Sequence, residues 1–376
     1  LRTLRSVASG QEAQLLIDGQ WYANFGSNNY LGLANHPDLK AASAAAIEQY
    51  GVGAGASRLI TGTMAPHEAC ETALAAFKRA EAAVLFNSGY AANLGLIPAL
   101  AGPDGVIFAD RANHASLFDG CRVSRAQLKI YRHRDVEQLG RLLDRSAPRA
   151  TKLIVTDSVF SMDGDLAPLP ELLALAHRHG ARLLVDDAHG TGVLGPTGRG
   201  ACEHFNLAPS AHDERLIQMG TLSKALGGFG AFVAGPRALI AYLQNRCRTF
   251  LYATALPPAV AAAATAALAV LEREPERRDR LWRHRRRCAD ALSRMGCDLM
   301  GSETPILPVR IGDPARALAV SDALWRRHCL VPAIRPPTVP KRTDRLRISL
   351  MATHRDEEID RLLAALQDAG RQQGLI

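Results

Sequence analysis

The stretch Val185-Asp186-Asp187-Ala188-His189-Gly190-Thr191-Gly192 decides the fold. It continues an apolar run, Arg182-Leu183-Leu184-Val185, that reads as a buried strand ending in an acid, with a histidine three residues further on. Downstream, Leu216-Ile217-Gln218-Met219 reads as a second buried strand and leads to Thr221-Leu222-Ser223-Lys224. Outward from this pair the pattern repeats. Ala83-Val84-Leu85-Phe86, Gly105-Val106-Ile107-Phe108, Leu153-Ile154-Val155 and Ala231-Phe232-Val233-Ala234 are short continuous apolar runs bounded by turn residues. A sheet covered on both faces requires such runs. Ala/Leu-rich segments between them, such as 169–179 with Pro170 near its start, read as crossover helices. The expected fold is α/β, with a mostly parallel central sheet and helices on both faces.

Pro257-Pro258 opens a long Ala-rich helix over 259–274, read as a bridge to a second lobe. That lobe reads as α+β: a helix near 276–295, a strand at 305–311, a helix at 314–328, a strand at 345–350 and a final helix at 355–373. The expected organisation is a short N-terminal arm (1–40), a large domain (41–262) and a smaller C-terminal domain (263–376). A length of 376 residues, 47% of them apolar, supports one large core and a smaller lobe. No apolar run approaches the roughly 20 residues that span a bilayer. The chain begins at Leu1 without an initiator Met, and its start carries Arg2 and Arg5 but no apolar signal core. Seven Cys (70, 121, 202, 247, 288, 297 and 329) are scattered without a CxxC pair. They read as reduced thiols of a cytoplasmic protein and point to no metal site. The net charge of +8 is densest over 273–287, REPERRDRLWRHRRR. With few aromatics and no nucleic-acid motif beside it, this run reads as a solvated helix, or as a docking face for an acidic or phosphate-bearing partner.

In an open α/β sheet, ligands bind beyond the carboxyl ends of the strands. Four groups are expected there: Asp186, Lys224, the Asn87-Ser88-Gly89-Tyr90 turn that opens a helix over 90–100, and His114 after the strand at 105–109. Gly89 and Tyr90 at a helix start offer free N–H groups and a positive dipole end to a phosphate. An acid, a lone lysine and a phosphate cradle together suit pyridoxal phosphate (PLP). That cofactor needs a carboxylate at its ring nitrogen and an amine to carry it as a Schiff base. His189 is placed to hydrogen-bond the ring's phenolic oxygen, and His114 to stack on the ring. Singly, each feature is common in proteins; their joint order at strand ends carries the reading.

With those residues placed, the chain resembles the α-oxoamine synthases, fold-type-I PLP enzymes. The landmarks are SNNYLGL (27–33), GASRLITGT (55–63), FNSGYAAN (86–93), TDSVFSMDGD (156–165), VDDAHGTGVLG (185–195), TLSKALGG (221–228), IRPPTVP (334–340) and LRISL (346–350). The resemblance implies roles position by position. Lys224 is the Schiff-base lysine and the base at Cα, Asp186 the pyridinium partner, His189 the phenolic-oxygen partner and His114 the stacking histidine. Ser161 contacts the ring, and Gly89, Tyr90 and Thr221 contact phosphate or cofactor. Arg347 binds the amino-acid carboxylate with Asn28 near it, and Thr338 and Arg2 contact substrate. The resemblance also implies a homodimer in which the segment 252–256, with Thr254 its only short hydroxyl, reaches the partner's cofactor phosphate.

The activity so implied is a decarboxylative condensation of an amino acid with an acyl thioester. Within the family, Ile334–Pro340 resembles the branch that uses L-alanine and a pimeloyl thioester, carried on acyl carrier protein or on CoA. Ser57 fits it: aminolevulinate synthases carry Thr there, and a smaller side chain leaves room for alanine's methyl, worth ~1–3 kcal/mol of discrimination. Siblings that use glycine with acetyl-CoA, or serine with a long-chain acyl-CoA, share every cofactor residue and stay open. No nucleic-acid or membrane partner is expected.

Overall fold

The computed structural model describes residues 4–207 and 213–374. The chain divides into two units. One, the sheet unit, takes in Pro37–Phe160 and Ala167–Arg273; the other, the terminal unit, takes in Leu1–His36, Ser161–Leu166 and Glu274–Ile376. Among the described residues, no helix is long and apolar enough to cross a membrane.

Seven strands form the sheet of the first unit. Their order is Ala82–Phe86, Ala231–Gly235, Leu216–Thr221, Arg182–Asp186, Lys152–Asp157, Val106–Asp110 and Gln127–Tyr131. Every pairing is parallel except the two made by Ala231–Gly235. Val106–Asp110, Lys152–Asp157, Leu216–Thr221 and Ala231–Gly235 are buried at every position. That is why they read as near-continuous apolar runs. The edge strand Gln127–Tyr131 is not among the expected ones. Only Tyr131 in it is buried, so its sequence, QLKIY, alternates instead of running apolar.

Parallel pairing brings carboxyl ends to one edge. Asp157 stands in register with Asp186, and Asp186 with Met219, so the loops after three adjacent strands begin side by side. The helices come where caps allow them. Ser88 Oγ accepts from Ala91 N at 3.1 Å and starts Gly89–Leu100. Gly180, left-handed at φ 64°, ends Leu169–His179. The Ala-rich helix Pro258–Arg273 packs on Pro37–Tyr50 and Ala65–Lys78. It therefore belongs to the sheet unit, and the division falls after Arg273, in place of the expected boundary at 262.

Residues 4–36 are likewise no separate arm. Gln14–Ile17 and Gln20–Asn24 form an antiparallel hairpin, and Ala23 and Asn24 pair in parallel with Cys329–Leu330 of the same unit. Asp18-Gly19 turns the hairpin with both residues at positive φ, 49° and 75°. This is the two-residue turn whose twist matches the strands. Tyr22 stacks on Trp325 at 3.9 Å between ring centroids. A second sheet runs Ile306–Arg310, Arg345–Ser349, Ala333–Ile334, all antiparallel. Helices Glu276–Arg294, Pro314–Arg326 and Asp356–Gln372 complete the unit, close to the expected spans. Residues 161–166 join it through Gly164, whose carbonyl accepts from Glu303 N and Thr304 Oγ1. Much of the Arg-rich run is committed locally: Arg277 to Glu274 and the Leu31 carbonyl, Arg285 to the Ser302 carbonyl, Arg287 to Asp356 and Asp360.

Candidate active site

In the sheet unit, Asp186 closes its strand with 4% of its surface exposed. Its Oδ2 accepts from Asn93 Nδ2 at 2.7 Å and its Oδ1 from Ala188 N at 3.0 Å. Asn93 extends inward from the helix that begins at Gly89, and its amide also donates to Ser116 Oγ at 2.9 Å. Ser116 leads back to His114. Its Oγ lies 2.8 Å from His114 Nδ1, and its N–H donates to the same nitrogen at 3.2 Å. With Nδ1 accepting, the neutral ring carries its proton on Nε2. The His114 N–H in turn donates to Asp157 Oδ2 at 2.6 Å. A chain of contacts thus runs from Asp186 through Asn93, Ser116 and His114 to Asp157, closing where the strand register had already placed the two acids together.

Burial dominates the electrostatics. It pushes Asp186 above the usual carboxylate range and Asp157 well above it, and it pushes His114 below the usual imidazole value. The Lys224 ammonium acts on all three, favouring ionised Asp186 and Asp157 and opposing a protonated His114. Lys224 is half-buried in the loop between Leu216–Thr221 and Ala231–Gly235. That loop is pinned from inside. Thr221 Oγ1 donates to Gly230 O at 2.9 Å and meets Ser223 Oγ at 2.7 Å, Leu222 N donates to Gly230 O, and Gly227 N donates to Lys224 O. The hydroxyl of Thr221 is therefore spent on the loop that carries the lysine. His189 is buried in the turn after Asp186. Tyr90 is exposed at the start of its helix, and its hydroxyl donates to Asp119 at 2.6 Å.

Ser57 and Thr254 are brought together elsewhere in this unit. They form an isolated antiparallel bridge, flanked by Ala255 N donating to Ala56 O and Asn87 Nδ2 donating to Thr254 O. No hydrogen bond joins either side chain to the Asp186 cluster among the described residues.

In the terminal unit, Arg347 is buried on Arg345–Ser349. It donates through Nε to Ser161 O at 2.5 Å, through Nη1 to Ser349 Oγ at 2.7 Å and through Nη2 to Asn28 Oδ1 at 3.2 Å. Tyr30 also touches it, and burial raises that phenol despite the guanidinium. Three residues expected at the site, Arg347, Asn28 and Ser161, thus meet. Thr338 is exposed beside a groove of about 560 Å³ that Arg5 and Trp325 also line. Arg2 lies outside the described residues.

The donor set fits PLP. A buried carboxylate with open lone pairs suits a ring N–H, a half-buried primary amine suits an aldehyde, and the first-turn amides of Gly89 and Tyr90 suit a phosphate. The buried Asn93 Oδ1, on the residue that holds Asp186, has no partner among the described residues. Sequence reading passed over Asn93, Ser116 and Asp157. The signal for Asn93 lay in FNSGYAAN: a polar residue one turn past Gly89 in an otherwise apolar helix.

The profile of the family "Aminotransferase class I and II" matches residues 22–366. The 8-amino-7-oxononanoate synthase of Geobacter sulfurreducens is 51% identical, over all of this chain and 95% of that protein. A serine palmitoyltransferase variant from S. paucimobilis with a bound PLP–myriocin aldimine superposes with a TM-score of 0.95 at 35% identity, covering 99% of this chain and 94% of the other. The 8-amino-7-oxononanoate synthase of Francisella tularensis superposes at 0.82 with 29% identity, covering 94% of this chain and 99% of the other.

Proposed function

Because this chain belongs to the aminotransferase class I and II family of PLP-dependent enzymes, we propose that it joins L-alanine to a pimeloyl thioester. The products are 8-amino-7-oxononanoate, CO2 and the free thiol, a step of biotin biosynthesis. The observation that carries this reading is the convergence of Asp186, His114 and the Lys224 charge at the carboxyl edge of one sheet. It occurs in a chain half-identical to enzymes bearing that product's name. PLP supplies an electron sink that stabilises negative charge at the amino acid's Cα.

The chain's own residues supply the rest. Lys224 carries the cofactor's aldehyde, then takes and returns the Cα proton. Asp186, whose charged form Lys224 favours, would hold the ring nitrogen protonated, with Asn93 fixing its angle. Neutral His114 would stack on the ring, and His189 would hold its phenolic oxygen. Gly89 and Tyr90 hold the phosphate, Thr221 fixes the lysine loop, and Ser161 contacts the ring. Arg347 pairs with the alanine carboxylate with Asn28 beside it, which fixes the Cα–H direction. Ser57 leaves room for the alanine methyl, and Thr338 and Arg2 meet the acyl donor, on acyl carrier protein or CoA. The active enzyme is a homodimer, with Thr254 reaching the partner's phosphate.

The serine palmitoyltransferase likeness favours a second reading, serine with a long-chain acyl-CoA. The full-length identity of 51% against 35% favours the alanine reading. Product mass decides. PLP-loaded protein is given L-alanine with pimeloyl thioester, L-serine with palmitoyl-CoA, or glycine with acetyl-CoA. A decarboxylated alanine–pimeloyl ketone from the first pair alone is expected. Ketone from another pair alone moves the substrate and keeps the site. Lys224→Ala abolishes turnover, and borohydride reduction leaves a pyridoxyl group on Lys224 in wild type. Multiple turnover by the variant without added amine overturns the assignment.

A further inference from the structure

The edge of the sheet opposite the Asp186 cluster collects cations. Lys152 and Arg182 open two adjacent strands, and Arg215 immediately precedes a third. The far ends of those strands carry Asp157, Asp186 and Thr221, roughly 17–20 Å away for strands of this length. Leu183 pairs with Leu216, so Arg182 and Arg215 stand side by side on neighbouring strands. Leu153 pairs with Arg182, which puts Lys152 one step along on the next strand. Like charges set directly across two strands repel.

None of the three side chains forms an ion pair among the described residues, although Asp213 Oδ1 accepts from the Arg215 main-chain N–H at 3.0 Å. Lys152 is buried, and among the described residues its ammonium has two main-chain acceptors, Pro148 O and His179 O, both at a long 3.3 Å. Arg215 reaches the Ala181 carbonyl at 3.4 Å. Arg182 is exposed, and its side chain has no hydrogen bond or ion pair among the described residues. A buried ammonium without a countercharge is costly.

All three line one cavity of about 720 Å³ within the sheet unit. Ala238 and Leu239, in the first turn of the ten-residue helix Arg237–Arg246, line it too, which adds the positive end of a helix dipole. Among the described residues, Glu214 is its one acidic lining residue.

We propose that this cavity binds a small polyanion bearing two or more phosphate groups, up to the size of a nucleotide. Arg182 and Arg215 stand level on strands about 4.8 Å apart, and Lys152, one residue out of phase, lines the same cavity from the next strand; together they exceed what one phosphate engages. Paired guanidinium forks beside a point-charged ammonium match a phosphate chain. Binding supplies the missing countercharge and relieves the Arg182–Arg215 repulsion.

The test titrates PLP-loaded protein calorimetrically with inorganic tripolyphosphate, ATP and adenosine at constant ionic strength, so that the cofactor's phosphate cradle is filled. Saturable single-site binding of tripolyphosphate and ATP, but not adenosine, is expected. Arg182→Ala weakens it about tenfold, and Arg182→Ala/Arg215→Ala more than that, with ketone formation unchanged. Equal affinities for the two anions mean that the phosphate chain alone is read, and tighter ATP means that the nucleoside adds contacts. Absence of saturable binding in wild type, or unchanged binding in a folded Arg182→Ala protein, overturns the proposal. Either result leaves the alanine reading untouched, because that rests on product mass.

Discussion

Asp187 gives both of its carboxylate oxygens to the protein itself, whereas Asp186, one residue earlier, keeps about half of its acceptor capacity open. Oδ2 of Asp187 accepts from Lys78 Nζ at 2.8 Å and Thr191 Oγ1 at 2.9 Å, and Oδ1 accepts from Ser158 Oγ at 2.7 Å and Ala201 N at 3.1 Å. Lys78 spends its remaining protons on Thr191 Oγ1 and the Arg199 carbonyl. Both side chains of this ion pair are wholly buried. The backbone has closed around them: a Cβ on Gly200, at φ 104°, would lie 1.8 Å from Asp187 Oδ2, and one on Gly190 2.1 Å from Oδ1. Asp186 accepts two hydrogen bonds, one of them from Asn93. Strand alternation sends the two carboxylates to different surroundings. One neighbour builds the turn, and the other keeps acceptor sites open toward a ligand.

The comparison breaks most readily at Asp187. Asp187→Asn leaves Lys78 buried without its countercharge, at a cost of about 3–5 kcal/mol, read as an earlier unfolding midpoint in urea. An unchanged midpoint would mean that the turn does not depend on the pair. Asp186→Asn runs the other way. It removes a carboxylate that burial holds against its ionised form, so the apoprotein melts at or above the wild-type temperature. Its kcat for ketone formation falls about 10²–10³-fold, because the charge at the ring nitrogen is lost. A variant that is slow because it is unfolded would remove the distinction between the two acids.

The parts legible in the sequence were those with one burial environment. Strands buried on both faces announce themselves as apolar runs, and strand ends locate Asp186, Lys224 and Gly89. Gln127–Tyr131 escaped because an edge strand alternates, and the N-terminal hairpin because its strands are short, although Asp18-Gly19 between apolar residues was a turn signal. Residues 161–166 carry no compositional mark of the unit they join; that membership rests on Gly164 and on the Arg347–Ser161 contact. Asn93 and Asp157 needed register and helix phase, which depend on tertiary pairing.

Asn93 sharpens the comparison at a smaller scale. Its hydrogen bond favours the charged form of Asp186, so Asn93→Ala raises the Asp186 pKa further. The expected outcome is a roughly tenfold lower kcat, with the acid limb of the pH–rate profile moved to higher pH. A merely structural asparagine would lower the rate and leave that limb where it was.

The smallest effect is a convergence with pH. The folded-state value of Asp186 lies above the unfolded 3.8, so the folded protein binds the extra proton between the two. Ionised Asp186 therefore costs stability that appears as pH rises above about 3.8 and is complete above the folded value. The amide of Asp186→Asn imitates the protonated acid. Its melting advantage in the apoprotein is accordingly greatest near pH 7 and shrinks as the pH is lowered toward 4. Melting curves of both apoproteins over that range check it. A difference that persists undiminished at low pH would assign the stabilisation to packing of the amide, and Asp186 would no longer stand apart from Asp187 as the acid held ready for a positive partner.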